Sequence, residues 1–184
     1  VGKSFISVNL ATILAQSGKG VLLIDGDMRR GYMHQYFKES NNQYGLATYL
    51  NGQHDDIDQL IQKSEVVNLD FIARGKSPSN PSELLSTETF AKFIEEVSQR
   101  YDHIIIDTPP VLAVTDSVII SQFSGVNLVV ARYAKSQMKE LELVVNRFDQ
   151  VGVKVNGLIL NDVQREVGSP YGYGYNYAYT SKKD

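Results

Sequence analysis

The sequence predicts an α/β fold, doubly wound around a mainly parallel sheet with helices on its faces. Two observations predict it. Five short apolar runs recur along the 184 residues, continuous rather than alternating, as strands buried on both faces are. Between them lie stretches whose apolar residues return every three or four positions, so helices join the strands in β-α-β order. Composition agrees, since 42% hydrophobic and 21% charged residues supply one globular core and leave a second domain crowded.

Val21–Ile24 (VLLI) is the first apolar run, and Leu69–Ala73, His103–Asp107, Asn127–Ala131 and Val155–Asn161 are the strands that follow. Ser4–Ser17 reads as a helix with Ile6, Leu10, Ile13 and Leu14 on one face, stopped by Gly18-Lys19-Gly20. Thr87–Gln99 repeats the pattern with Phe90, Phe93, Ile94 and Val97. Gln137–Gln150 does so with Leu141, Val144, Val145 and Phe148, ahead of Gly152. Pro78-Ser79-Asn80-Pro81-Ser82 marks a loop in which Ser82 is placed to cap the following turn. The chain closes on SPYGYGYNYAYTSKKD, where Tyr171, Tyr173, Tyr175, Tyr177 and Tyr179 alternate with Gly, Asn and Ala. Glycine weakens a strand and offers nothing to pack, so residues 165–184 are expected to be a mobile tail and 1–164 the domain.

A net charge of −3 and a pI near 5.6 provide no basic field for nucleic acid. The absence of cysteine removes disulfides, thiolate chemistry and cysteine-bound metals together. No apolar run is long enough to span a bilayer and no signal peptide opens the chain. His34, His54 and His103 have no metal-ligand spacing.

Three motifs converge on one chemistry. Gly2-Lys3-Ser4 heads a helix and matches the end of the phosphate-binding loop G-x-x-x-x-G-K-[ST], where backbone N–H groups cradle phosphate, Lys reaches its oxygens and the hydroxyl meets Mg²⁺. Alone, the tripeptide also reads as a plain helix start. VLLIDGDMRR sets Asp25 and Asp27 just past the carboxyl end of a buried strand, the edge where open α/β sheets bind ligands. IIIDTPP puts Asp107 at the same edge, in the place of a Mg²⁺-holding Walker B aspartate. Carboxylates gathered there repel one another unless a cation sits among them, and Mg-nucleotide supplies it.

With GKS at 2–4, DGDMR at 25–29 (Walker A′) and IIIDTPP at 104–110 (Walker B), the chain resembles the bacterial tyrosine kinases of Wzc-type polysaccharide co-polymerases. NPSELL at 80–85, VLAVTD at 111–116, VARYA at 130–134, GLILN at 157–161 and the tyrosine cluster carry the same resemblance. It implies a P-loop NTPase fold of the MinD/ParA-like type and tyrosine autophosphorylation with Mg-ATP. It also implies a role in capsule or exopolysaccharide polymerisation and export. Mapped here, Lys3 would neutralise phosphate charge and Ser4 and Asp107 would organise Mg²⁺. Asp25 and Asp27 would serve the metal and the incoming phenol, with Asp25 the preferred proton acceptor. Asn161 would touch the adenine, or merely end a strand at a turn.

The resemblance further makes Tyr32 a phosphoacceptor within the chain; without it, Tyr32 reads as an amphipathic residue covering the core edge. A phosphate there needs a cation, and Arg74 ranks ahead of Arg29 and Arg30 because it follows a strand at the same edge. The tyrosine cluster becomes the substrate: an extended chain from Asn161 to Tyr171 spans about 33 Å, against a domain radius of gyration of about 16 Å. Transfer to a neighbour in an octameric ring is implied, and full modification would add on the order of −7 to −10 charges and drive subunits apart. The other partners implied are a protein tyrosine phosphatase, the polysaccharide export machinery and, through segments upstream, the inner membrane, with this domain on its cytoplasmic side. The family pattern also expects a strand, the start of the phosphate loop and a ring-forming E-x-x-R-x-x-R segment ahead of Val1. Two rival readings share the pocket: a MinD/ParA-like ATPase switch, and an assembly module that binds ATP structurally. A Gly/Tyr-rich tail that sticks to partners through its rings is the alternative for residues 171–179.

Overall fold

The computed structural model describes residues 1–37 and 43–164. Its strands are β1 (Val21–Asp25), β2 (Ile61–Lys63), β3 (Leu69–Ile72), β4 (His103–Asp107), β5 (Leu128–Arg132) and β6 (Gly157–Asn161). The α-helices are α1 (Lys3–Gln16), α2 (Leu46–Leu50), α3 (Pro81–Leu85), α4 (Glu88–Ser98), α5 (Asp116–Ser121) and α6 (Met138–Asp149). The five strands and three long helices read from apolar spacing are all present. The short β2, α2, α3 and α5 were not foreseen. Ile61-Gln62-Lys63 has one apolar residue and no run to reveal it, and it pairs antiparallel with β3 as an edge.

β1 lies at the centre of a sheet ordered β2-β3-β1-β4, parallel to both β3 and β4. Alternate residues feed two cores. Leu22 and Ile24 meet Phe90, Phe93 and Val97 of α4 on one face. Val21 and Leu23 meet Ala11 and Ala15 of α1 on the other, with Leu69 and Phe71 of β3. Each fully buried phenylalanine contributes about 1.5–3 kcal/mol of transfer free energy.

Burial on both faces holds for β1 and β3 but not for the remaining long strands. β5 and β6 form a separate parallel pair, and no ladder joins β4 to β5. A cavity of about 740 Å³ lies between them, bordered by Ile105, Val129, Ile6 and Leu141. β6 exposes Leu158 and Leu160 on alternate positions.

The buried helix faces differ from those that apolar spacing predicts. In α1 the small residues Ala11 and Ala15 are buried, because the helix lies close on the sheet, and Ile13 is 64% exposed. Val145 of α6 likewise turns outward while Val144 and Phe148 are buried. Ser82 does not cap: it sits inside α3, whose N-cap is Asn80 with Pro81 at the first helical position. Gly18 and Gly152 end α1 and α6 with φ of 88° and 72°. Ala134 and Asp162 turn left-handed, at φ 55° and 59°, just after β5 and β6, and the Tyr133 N–H donates to the Asn161 carbonyl at 2.9 Å. Among the described residues no helix is long and apolar enough to cross a membrane. The tyrosines at 171–179 lie outside the described residues.

Candidate active site

Gly2 precedes α1 with φ 89°, a conformation that costs L-residues energy, and an added Cβ would strike the Asn161 amide. The first-turn N–H groups of α1 and the positive end of its dipole lie at this same end of the helix. Asn161 Nδ2 donates to the Val1 carbonyl at 3.0 Å, which brings the last strand to the head of α1.

β1 and β4 run parallel in a register that puts Asp25 opposite Asp107. Asp107 is 5% exposed, and both its oxygens are engaged by α1: Ser4 Oγ donates to Oδ2 at 2.5 Å and Ser7 Oγ to Oδ1 at 3.2 Å. Burial raises its pKa above the usual carboxylate value against the opposing pull of Ser4, the Lys3 charge and Ser7. Ser7 was not read as a site residue, although its place three residues after Ser4 puts both hydroxyls on one helix face.

Asp25 is fully buried and accepts backbone N–H bonds from Asp27 to Oδ1 and from Met33 to Oδ2, both at 3.2 Å. Burial pushes its pKa up to about 7; the Met33 N–H works against this and the Asp107 charge adds to it. Gly31 packs so close that any side chain there would overlap the Asp25 carboxylate. Asp27 accepts from the N–H groups of Arg29 at 3.2 Å and Arg30 at 2.9 Å through Oδ1. Lys3, Ser4, Asp25, Asp27 and Asp107 are thus brought to one sheet edge.

Among the described residues no three His, Asp or Glu side chains form a group able to hold an ion by themselves. Mg²⁺ keeps several waters and takes one or two carboxylates plus phosphate oxygens rather than an all-protein cage. The donors present, a serine hydroxyl and carboxylates, are the hard oxygens that such an ion prefers.

Tyr32 is 58% exposed and stands just before a 3₁₀ turn at Met33–Tyr36. Arg74 follows β3 at the same edge. Its Nη1 donates to the Arg29 carbonyl at 3.2 Å, and its Nε is buried with no hydrogen-bond partner.

The family model described as an AAA domain matches residues 1–159. "Tyrosine-protein kinase ptk" of Acinetobacter johnsonii is 65% identical over 165 residues, covering 90% of this chain and 22% of that protein. The chain therefore spans roughly a quarter or less of such curated relatives. The solved kinase domain of the Escherichia coli tyrosine kinase ETK superposes with a TM-score of 0.86 at 41% identity, over 95% of this chain and 68% of that one. MinD of Pyrococcus horikoshii, solved with Mg-ADP, matches at TM-score 0.70 and 20% identity over 86% of this chain and 64% of that one, a likeness of fold. The helix-head loop, the in-register aspartates and these relatives agree: the chain belongs to the AAA-domain family and, within it, to the bacterial tyrosine kinase domains.

Proposed function

We propose that this chain is the catalytic domain of an autokinase that moves the γ-phosphoryl group of ATP onto tyrosines of its own tail, Tyr171, Tyr173, Tyr175, Tyr177 and Tyr179. The observation that carries the proposal is the register that sets Asp25 against Asp107 beside Ser4 at the head of α1. The α1 N–H groups and Lys3 bind the phosphates, and Asn161 borders the base. Ser4, Asp25, Asp27 and Asp107 would hold Mg²⁺ at this edge. When bound, the ion neutralises charge on the β- and γ-phosphates.

Transfer makes a bond from the tyrosine oxygen to the γ-phosphorus and breaks the bond from that phosphorus to the bridging oxygen, which leaves on ADP. The phenolic proton goes to an Asp25 oxygen. At a pKa near 10 the phenol is about one part in a thousand ionised at pH 7, and a carboxylate within hydrogen-bond reach of it is a suitable acceptor. A loose transition state asks little of the nucleophile, so holding the phenol in line matters at least as much.

The same reading assigns the tail at 165–184 to substrate and 1–164 to the kinase domain, completed by a strand ahead of Val1 laid in the cavity between β4 and β5. Transfer between subunits of a ring, membrane attachment through segments upstream, reversal by a phosphatase and control of polysaccharide polymerisation and export belong to the whole polypeptide. The MinD-like switch is the weaker reading, since its likeness is 20% against 41% for the ETK kinase domain. In the full-length protein incubated with Mg-ATP, mass spectrometry should find phosphate on the 171–179 cluster. An unmodified tail with steady ADP release would instead favour the switch.

Tyr32 is proposed as a second acceptor, with its phosphate drawn to Arg74, whose buried Nε lacks a partner. Modification adds about −1.5 to −2 charges. Activity gained on Tyr32 phosphorylation should be lost in Arg74→Glu, measured as the tail phosphorylation rate before and after preincubation with ATP. A gain that survives Arg74→Glu would remove Arg74 from this role.

A further inference from the structure

The side chain of Arg29, NPSELL at 80–85 and VLAVTD at 111–116 are far apart in the sequence. The structure brings them to one point. Asp116, the first residue of α5, is fully buried. Its Oδ2 accepts from Arg29 Nε at 2.9 Å and its Oδ1 from Arg29 Nη2 at 3.1 Å, a two-pronged pairing of guanidinium and carboxylate. Ser82 of α3 completes it, donating from Oγ to Asp116 Oδ1 at 2.6 Å and accepting from Arg29 Nη2 at 3.1 Å. Thr115 Oγ1 reaches the same serine at 3.4 Å.

As a source of stability such a pair is weak, because removing the carboxylate from water offsets most of the attraction. Its position suggests another use. Arg29 belongs to the turn that carries Asp27: its own N–H is bonded to Asp27 Oδ1, and the Asp27 charge acts on the guanidinium. The backbone of this turn is tied down separately, with Ser77 Oγ donating to the Met28 carbonyl at 2.9 Å and Arg74 to that of Arg29. The Arg29 side chain is therefore the part of the turn that Asp116 and Ser82 control. Released from them, the guanidinium has a second carboxylate within electrostatic reach, and it is Asp27.

We infer that Asp116 and Ser82 are positioning residues that hold the Arg29 guanidinium away from Asp27, keeping that carboxylate open to a divalent cation. Without them Arg29 would act as an internal competitor for the cation's place. The inference rests on the nucleotide-binding reading above.

The test is the Mg²⁺ concentration needed for half-maximal binding of a fluorescent ADP analogue to the full-length protein. Asp116→Asn should raise it about tenfold while leaving binding in EDTA within twofold. Arg29→Gln added to Asp116→Asn should bring it back to within about twofold of the parent, because no competitor remains. An unchanged requirement in folded Asp116→Asn, or a double variant no better than the single, overturns the inference and leaves the trio as an anchor for α3 and α5. If Asp116→Asn does not fold, Ser82→Ala decides the matter: a rise of about two- to threefold supports the inference and an unchanged requirement overturns it. A parent protein that binds no nucleotide would sink the proposed function itself, a result distinct from either.

Discussion

Replacing Lys3 with methionine is expected to lower tyrosine autophosphorylation at least about a hundredfold while the domain stays folded. Lys3 opens α1, and its charge acts directly on Asp107. The site it serves gathers Asp25, Asp27 and Asp107, with the further negative charge of a triphosphate to be added. Methionine keeps the length and apolar stem that pack beside the cavity but removes the cation. Loss of one preorganised charge or donor at a transferring group typically costs about 10²–10³ in rate. Stability should move by less than about 0.5 kcal/mol, as at other partly exposed sites. Antiphosphotyrosine signal against time, beside a thermal melt, checks both halves. Phosphorylation persisting within threefold of the parent would show that the head of α1 does not bind the phosphates.

Asp25→Asn should separate stability from catalysis. A carboxyl titrating at about 7 in the folded chain and 3.8 unfolded binds more protons when folded, so stability falls as pH rises between those values. Below the lower value nothing is lost, and above about 7 the whole penalty of roughly 4 kcal/mol is present. Asparagine cannot ionise, so in EDTA the variant should lose most of that pH dependence. Its amide accepts through one oxygen where the carboxylate met the N–H groups of both Asp27 and Met33, so the gain at pH 8 should be only about 1–3 kcal/mol. Activity should move the other way, falling about a hundredfold with loss of the proton acceptor. Denaturant midpoints at pH 5 and pH 8, with autophosphorylation rates, read both. A variant no more stable than the parent at pH 8 would mean that Asp25 is not forced to carry its charge in a dry site.

How much of this was legible depended on the range of the interaction. β1 and β4 were readable because VLLI and HIII are continuous apolar runs ending in an aspartate, and the shared edge of Asp25 and Asp107 followed from the parallel fold. Ile13 was misplaced because periodicity weighs large residues, whereas the close approach of α1 to the sheet selects Ala11 and Ala15. The separation of β4 from β5 has no local signature, since each run looks like any buried strand. Ser7 was within reach of helical spacing. The pairing of Arg29 with Asp116 was not, because 87 residues separate them and nothing in either segment points to the other.

The left-handed residues after β5 and β6 have a thermodynamic meaning for ligand binding. Ala134 and Asp162 each hold a conformation about 1 kcal/mol above the ordinary one, at the rim where Asn161 meets the head of α1. The Tyr133 N–H on the Asn161 carbonyl and the ion pair of Arg132 Nε with Asp162 Oδ2 at 2.7 Å keep the two turns in place. Part of the ordering entropy of this rim is thus spent during folding. If the nucleotide binds as proposed, it would meet a preorganised rim and its affinity would not be reduced by the cost of shaping one.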